Sequence, residues 1–208
     1  LALQQLGLKS QSFMGWQIPI KTNLDHTNAQ ILTIEPKRLE ACFKKGIIPI
    51  IAGFQGITAN KRITTLGRGG SDTTAVAIAA AIKADRCDIY TDVEGVYTAD
   101  PRVVKKAKKL HQISYLEMLE LAAQGAKVLH SRSVETAMKH RVYVRVLSSF
   151  NDSPGTDIIG VPPANIARIS GITHTNGWVM IHLETNHFSR PMLESLQAMI
   201  TAADIHTD

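Results

Sequence analysis

With 208 residues, 44% of them hydrophobic and 20% charged, the chain has the size and make-up of one α/β domain plus part of another. No apolar run reaches the ~18 residues that a membrane span needs, and these residues are not expected to hold a signal peptide. The net charge of +5 comes partly from Lys105, Lys106, Lys108 and Lys109, a run without interleaved aromatics that reads as a solvated face and not as a nucleic-acid patch.

Residues 11–14 and 29–34 are short strand candidates. Pro36 opens a helix with Leu39, Cys42 and Phe43 on one face, and Gly46 ends it. The apolar run 47–52 suits a strand buried on both faces, as in a parallel sheet covered by helices. Gly53-Phe54-Gln55-Gly56 stops that run.

A β-type run, 63–66, then enters Gly67-Arg68-Gly69-Gly70-Ser71-Asp72, and an apolar run, 75–84, leaves it as a helix buried nearly all round. Glycines admit backbone angles that a Cβ forbids, so N–H groups can crowd round an anion. Ser71 is the expected N-cap, with Asp72 and Thr73 in the first turn. Free N–H groups and the positive dipole end favour a phosphate or carboxylate there. Arg68 adds a planar fork of donors.

Residues 87–91 form the next strand, so a right-handed βαβ crossover is expected. Asp92, Tyr97, Asp100 and Arg102 gather beyond its carboxyl end, where open α/β sheets place ligands. Both loops also suit ordinary chemistry: a Gly-rich turn before a capped helix, and Glu-Gly and Asp-Pro turns.

Ser114 and Glu117 make a capping box for a helix with Leu116, Leu119 and Ala123 on its core face. Gly125-Ala126-Lys127-Val128 breaks it, which leaves Lys127 either to reach a ligand or to stay a surface lysine. A second helix spans 130–140 with Val134, Ala137 and Met138 inward. Residues 142–146 alternate as a strand, 151–155 turn, and 157–159 form a short last strand. Val161-Pro162-Pro163 reads as a linker. After it, 167–172 and 178–183 read as strands round a Thr175-Asn176-Gly177 hairpin. Pro191 opens a helix with Leu193, Leu196, Ile200 and Ala203 on one face. Cys42 and Cys87 belong to no CxxC and read as reduced core thiols, which points to a cytoplasmic protein. The eight histidines show no metal-ligand spacing.

Gly53 to Gly56, Thr65 to Asp72, Tyr90 to Arg102, Ser114 to Glu120 and Gly125 to His130, in that order and spacing, resemble aspartate kinase. The Gly at 69, where bifunctional members usually carry Asn, resembles the monofunctional branch. The resemblance implies an α/β amino-acid kinase fold, with a mainly parallel sheet flanked by helices, over residues 1–160. It implies the start of an α+β ACT regulatory domain over 164–208. The implied activity is ATP-dependent phosphorylation of the L-aspartate β-carboxylate, the first step towards lysine, threonine and methionine. Carried over by position, Arg68, Gly69, Gly70 and Ser71 would hold aspartate. Ser71, Thr91, Asp92, Tyr97, Thr98, Ala99, Asp100, Pro101, Arg102 and Lys127 would frame the nucleotide, and Asp72 would be the catalytic organiser. ATP and Mg²⁺ are the implied cofactors, with a lysine or threonine feedback effector and a homo-oligomer joined through ACT domains. No residue is assigned to hold the metal.

The departures matter as well. The family's opening Lys-Phe-Gly-Gly segment does not occur, Asn23 stands where Asp is usual, and Ser131 replaces a usual Pro. The expectation is a piece of a longer kinase, inactive alone. The remaining readings are a non-catalytic regulatory subunit or decayed fragment, and a related kinase such as glutamate 5-kinase.

The implied chemistry needs no general base, because an aspartate side chain with a pKa near ~3.9 is already ionised at neutral pH. The difficulty is bringing an anion to a polyanion, so catalysis rests on positioning and charge neutralisation. Asp72 either compensates the helix dipole or orients a cation, and the resemblance favours the second role.

Overall fold

A computed structural model describes residues 1–126, 128–160, 169–174 and 189–202. Contacts divide the chain into two units, Leu1–Thr175 and Asn176–Asp208. Among the described residues the first unit runs α1 (Ala2–Gln5), β1 (Ser10–Phe13), β2 (Ile20–Thr22), β3 (Ile31–Ile34), α2 (Lys37–Lys44), β4 (Ile48–Ile51), β5 (Gln55–Ile57) and β6 (Ile63–Thr65). It continues with α3 (Gly70–Ile82), β7 (Cys87–Thr91), β8 (Gln112–Ser114), α4 (Tyr115–Ala123), α5 (Ser131–His140), β9 (Val144–Ser148) and β10 (Thr156–Ile159). In the second unit the described element is α6 (Arg190–Ala202).

The strands form three sheets, ordered β1-β4, β3-β2-β5-β6 and β7-β9-β10-β8. The pairs β1/β4, β2/β5, β7/β9 and β8/β10 are parallel, and β2/β3, β5/β6 and β9/β10 are antiparallel. β6 and β7 lie in different sheets, so the strand–helix–strand run is not a crossover within one sheet. Local pairing decides this: a turn closed by Thr58 N–H to Arg62 O (2.9 Å) and Lys61 N–H to Thr58 O (2.9 Å) folds β6 back onto β5. β7 instead takes the distant β9 as its parallel partner.

α3 joins two cores. Val76 and Ala79 enter the larger one, with Cys87, Val96, Met118 and Val146. Ile78 and Ile82 pack on the smaller one, formed by Phe13, Ile18, Leu39 and Cys42. No residue from 75 to 82 is exposed, as the all-round apolar pattern predicts.

Several faces differ from expectation. The capping box starts α4 at Tyr115, so Tyr115 and Met118 turn inward, while Leu116 and Ala123 are exposed. The Tyr115 hydroxyl donates to Val142 O at 2.6 Å, which fixes that register. Phe43 and Met138 also lie outside the cores. The run 47–52 is not buried on both faces. β4 pairs with β1, Ile47 and Ile51 pack on the smaller core, and Ile48 and Ile50 on the alternate face stay 39% and 46% exposed.

Residues 169–172 form no regular strand. Their polar groups go elsewhere: Ile172 N–H donates to Thr98 O at 2.8 Å, and the Ser170 hydroxyl donates to Glu117. The linker at 161–163, the hairpin turn at 175–177, the strand 178–183 and Ala203 lie outside the described residues. α6 begins at Arg190, which pairs with Glu194 at 3.0 Å. Among the described residues no helix is long and apolar enough to cross a membrane.

Candidate active site

The glycine turn grows out of β6. Thr65 N–H donates to His26 O at 2.8 Å and its carbonyl accepts from Ala29 N–H at 3.0 Å, which lays residues 26–29 beside the strand end. Leu66 is fully buried and donates its N–H to Phe54 O at 3.0 Å. Gly67 and Gly69 then take left-handed angles, φ +73° and +69°.

Gly69, not Ser71, is the N-cap of α3. The left-handed turn at Gly69 brings the chain into helical geometry two residues early, and no side-chain cap forms. The Thr73 hydroxyl donates to Gly69 O at 3.0 Å and the Thr74 hydroxyl to Gly70 O at 2.7 Å. The Ser71 and Asp72 N–H groups have no acceptor among the described residues. The first turn of α3 therefore offers two unspent donors at a positive helix end.

Close packing leaves no room for a side chain at Gly69. A Cβ on Gly69 would overlap the Cβ and ring of His130, the N-cap of α5. A Cβ on Gly53 would come 3.3 Å from Ser71 Cα. Phe54, itself left-handed at φ +70°, donates its N–H to Thr74 Oγ1 at 3.1 Å. Arg68 and Ser71 are exposed, and Asp72 is partly buried. Burial raises the Asp72 carboxyl pKa, and nearby His130 pulls it part of the way back. His130 Nδ1 is buried without a hydrogen-bond partner among the described residues.

The second predicted cluster, Thr91 to Arg102, is a loop tied down internally. Thr91 O accepts from Ser149 N–H at 2.8 Å, and the Thr91 hydroxyl donates to Asp92 Oδ1 at 3.1 Å. Val96 N–H donates to the buried Thr156 Oγ1 at 2.9 Å. Glu94 accepts from the Tyr97 hydroxyl (3.3 Å) and from Asn151 Nδ2 (2.9 Å). Thr98 exchanges hydrogen bonds with Lys108. Arg102 grips Asp100 with two nitrogens, Nε at 3.0 Å and Nη2 at 2.8 Å, and this guanidinium holds the Asp100 carboxyl down at about 2. Ala99 is half-buried, while Asp92 and Pro101 are exposed. Lys127 lies outside the described residues.

The structure thus gathers Gly69, Gly70, Ser71 and Asp72 at one helix start, with Arg68 on the turn before it. Thr91 to Arg102 gather in a separate loop, and among the described residues no hydrogen bond or ion pair links the two sets. Among them, too, no group of three His, Cys, Asp or Glu side chains is arranged to hold a metal ion. Sequence reading missed Gly53, Phe54, His130, Asn28 and Arg132 as walls of the glycine turn. Gly53, Phe54 and His130 lie in segments that carry the family resemblance, whereas the signal of Asn28 and Arg132 is tertiary.

Residues 1–148 match the amino acid kinase family. The chain is 48% identical over 200 residues to an aspartokinase of Rickettsia bellii, covering 95% of this chain and 49% of that one. Among solved structures it is similar to aspartate kinase from Synechocystis, with a TM-score of 0.65 and 46% identity over 80% of this chain and 27% of that one. It is also similar to E. coli aspartokinase III in complex with aspartate and ADP, with a TM-score of 0.77 and 31% identity over 99% of this chain and 47% of that one. The chain therefore spans about half the length of the Rickettsia relative.

Proposed function

The chain belongs to the amino acid kinase family, and on that premise we propose that its parent protein is an aspartate kinase, transferring the γ-phosphoryl group of ATP to the β-carboxylate of L-aspartate. The product is 4-phospho-L-aspartate, the entry to lysine, threonine and methionine. The observation that carries this reading is the start of α3: a left-handed Gly69, N–H groups on Ser71 and Asp72 with no acceptor among the described residues, and the exposed Arg68 beside them. A carboxylate substrate meets such a set with charge-assisted hydrogen bonds. The aspartate and ADP bound by the E. coli relative support the pairing of substrate and nucleotide.

In this reading Arg68, Gly69, Gly70 and Ser71 hold the amino acid. Ser71, Thr91, Asp92, Tyr97, Thr98, Ala99, Asp100, Pro101, Arg102 and Lys127 frame the nucleotide, and Asp72 orients a cation. Mg²⁺ bound with the nucleotide would neutralise its phosphates, and such an ion needs only one or two protein carboxylates beside phosphate oxygens and water. That division suits a chain whose described residues offer single carboxylates such as Asp72 and Asp92 and no three-ligand cluster. Residues 1–160 belong to the kinase domain and 164–208 to the start of an ACT domain, through which a lysine or threonine effector acts and subunits pair. The lysine in another E. coli aspartokinase III complex supports an amino-acid effector in the family.

The test is ATP-dependent acyl phosphate formation by the full-length protein, trapped with hydroxylamine. L-aspartate and L-glutamate are compared side by side. Signal with aspartate alone is the expected result. Signal with glutamate alone reassigns the substrate, and silence with both ends the kinase reading.

A further inference from the structure

We infer that Arg132, in the first turn of α5, is a positioning residue that sets the shape of the Gly67–Ser71 turn and so the affinity for the amino-acid substrate. The inference rests on the kinase reading above. Arg132 spends its guanidinium on neutral oxygens from two other segments. Nη1 donates to Asn28 Oδ1 at 2.7 Å and to Leu66 O at 2.6 Å, and Nη2 donates to Ala29 O at 2.7 Å. Among the described residues no ion pair is formed by Arg132.

The three acceptors are well placed to control the site. Leu66 immediately precedes Gly67. Asn28 Oδ1 lies where a Cβ on Gly67 would come within 2.8 Å of it, so Asn28 forms the floor of that turn. Ala29 is hydrogen-bonded to Thr65, the last residue of β6. Asn28 itself is fixed by its N–H to Asp25 Oδ1 at 3.2 Å. Two residues before Arg132 in the chain, His130 lies against Gly69. One helix end therefore touches the glycine turn at both Leu66 and Gly69, joining an element of the larger core to the strand end that carries the turn. A planar fork with donors at fixed angles can span three acceptors, whereas a lysine ammonium cannot reproduce that spread.

The experiment uses the full-length protein with Arg132→Lys, Arg132→Met and Asn28→Ala, and varies L-aspartate and ATP separately. Misplacing the turn by a fraction of an ångström predicts a rise of about tenfold or more in the aspartate KM of Arg132→Lys, with the ATP KM and kcat within about threefold. Asn28→Ala shows a smaller rise in the same parameter. An unchanged aspartate KM in folded variants, or equal rises for aspartate and ATP, overturns the positioning role. Wild-type protein that forms no acyl phosphate overturns the kinase reading separately. Amide hydrogen exchange over residues 66–71 then decides the placement alone. Exchange that speeds up there and not in β9 upholds it, and unchanged or uniformly faster exchange removes it. If Arg132→Met does not fold, Arg132→Lys and Asn28→Ala carry the same readouts.

Discussion

Gly69 and Gly46 share nearly the same left-handed angle, φ +69° and +64°, but not the same surroundings. A Cβ at Gly46 meets nothing within 4 Å, whereas one at Gly69 overlaps His130. Gly46→Ala should therefore lose only the backbone cost of about 1–2 kcal/mol. Gly69→Ala should lose that plus an overpacking cost of about 1–3 kcal/mol. Urea unfolding of the two variants isolates the His130 contact, and equal losses would refute it. Asp72 carries a second residue-scale prediction. Burial raises its folded-state pKa above the unfolded ~3.9, so the fold favours the protonated form. Stability is then greatest below that unfolded value and declines as pH rises through the folded pKa. Asp72→Asn should be more stable than wild type at pH 7, with the advantage vanishing as pH falls towards ~4, while kcat drops. An unchanged kcat would strip Asp72 of its proposed role. That Arg68 to Asp72 lie together at the start of α3 was legible because they stand together in the chain. The walls of the turn were not, because Asn28, Leu66 and Arg132 meet across separations of 66 to 104 positions.

Some local signals made elements legible and others misled, as at the N-cap of α3, which is Gly69 and not Ser71. The Ser114–Glu117 capping box forms as read, with Ser114 N–H donating to Glu117 Oε2 at 3.0 Å and Glu117 N–H to Ser114 Oγ at 3.2 Å. Ser114→Ala should lower stability by about 1 kcal/mol and fray the start of α4. Amide exchange at Glu117 checks this, and full protection there would show that the cap is dispensable. The sequence pattern put Leu116, Leu119 and Ala123 inward; Leu119 packs on the larger core beside Tyr115 and Met118, while Leu116 and Ala123 are exposed. β2 and β8 span three residues each, too short for alternation to register, and exist because neighbouring strands supply their partners. β6 and β7 were visible as strands, but their membership of different sheets was not, since pairing choice depends on residues far along the chain.

At the scale of the first unit, α3 is the member common to both cores, and the two cysteines report on them separately. Cys87 lies in the larger core and Cys42 in the smaller, both free and buried. Burial first, then the carboxylates of Asp88 and Asp72, push the Cys87 thiol up to about 11, so its reactive thiolate is scarce in the folded state at neutral pH. Labelling of either thiol thus requires opening of its core. If the cores were independent, the smaller one, which buries fewer side chains, would open first and Cys42 would label at lower urea than Cys87. α3 argues otherwise: Val76 and Ala79 pack into one core while Ile78 and Ile82 pack on the other, so neither core can open without unseating the helix that fills its neighbour. Pulsed thiol labelling across a urea series, with mass spectrometry to separate the two sites, should therefore give one shared midpoint. Ile18→Ala, which removes a fully buried side chain from the smaller core, should lower both midpoints together, with a loss of about 2–5 kcal/mol. A drop confined to Cys42 would show that the cores unfold separately and that α3 does not couple them.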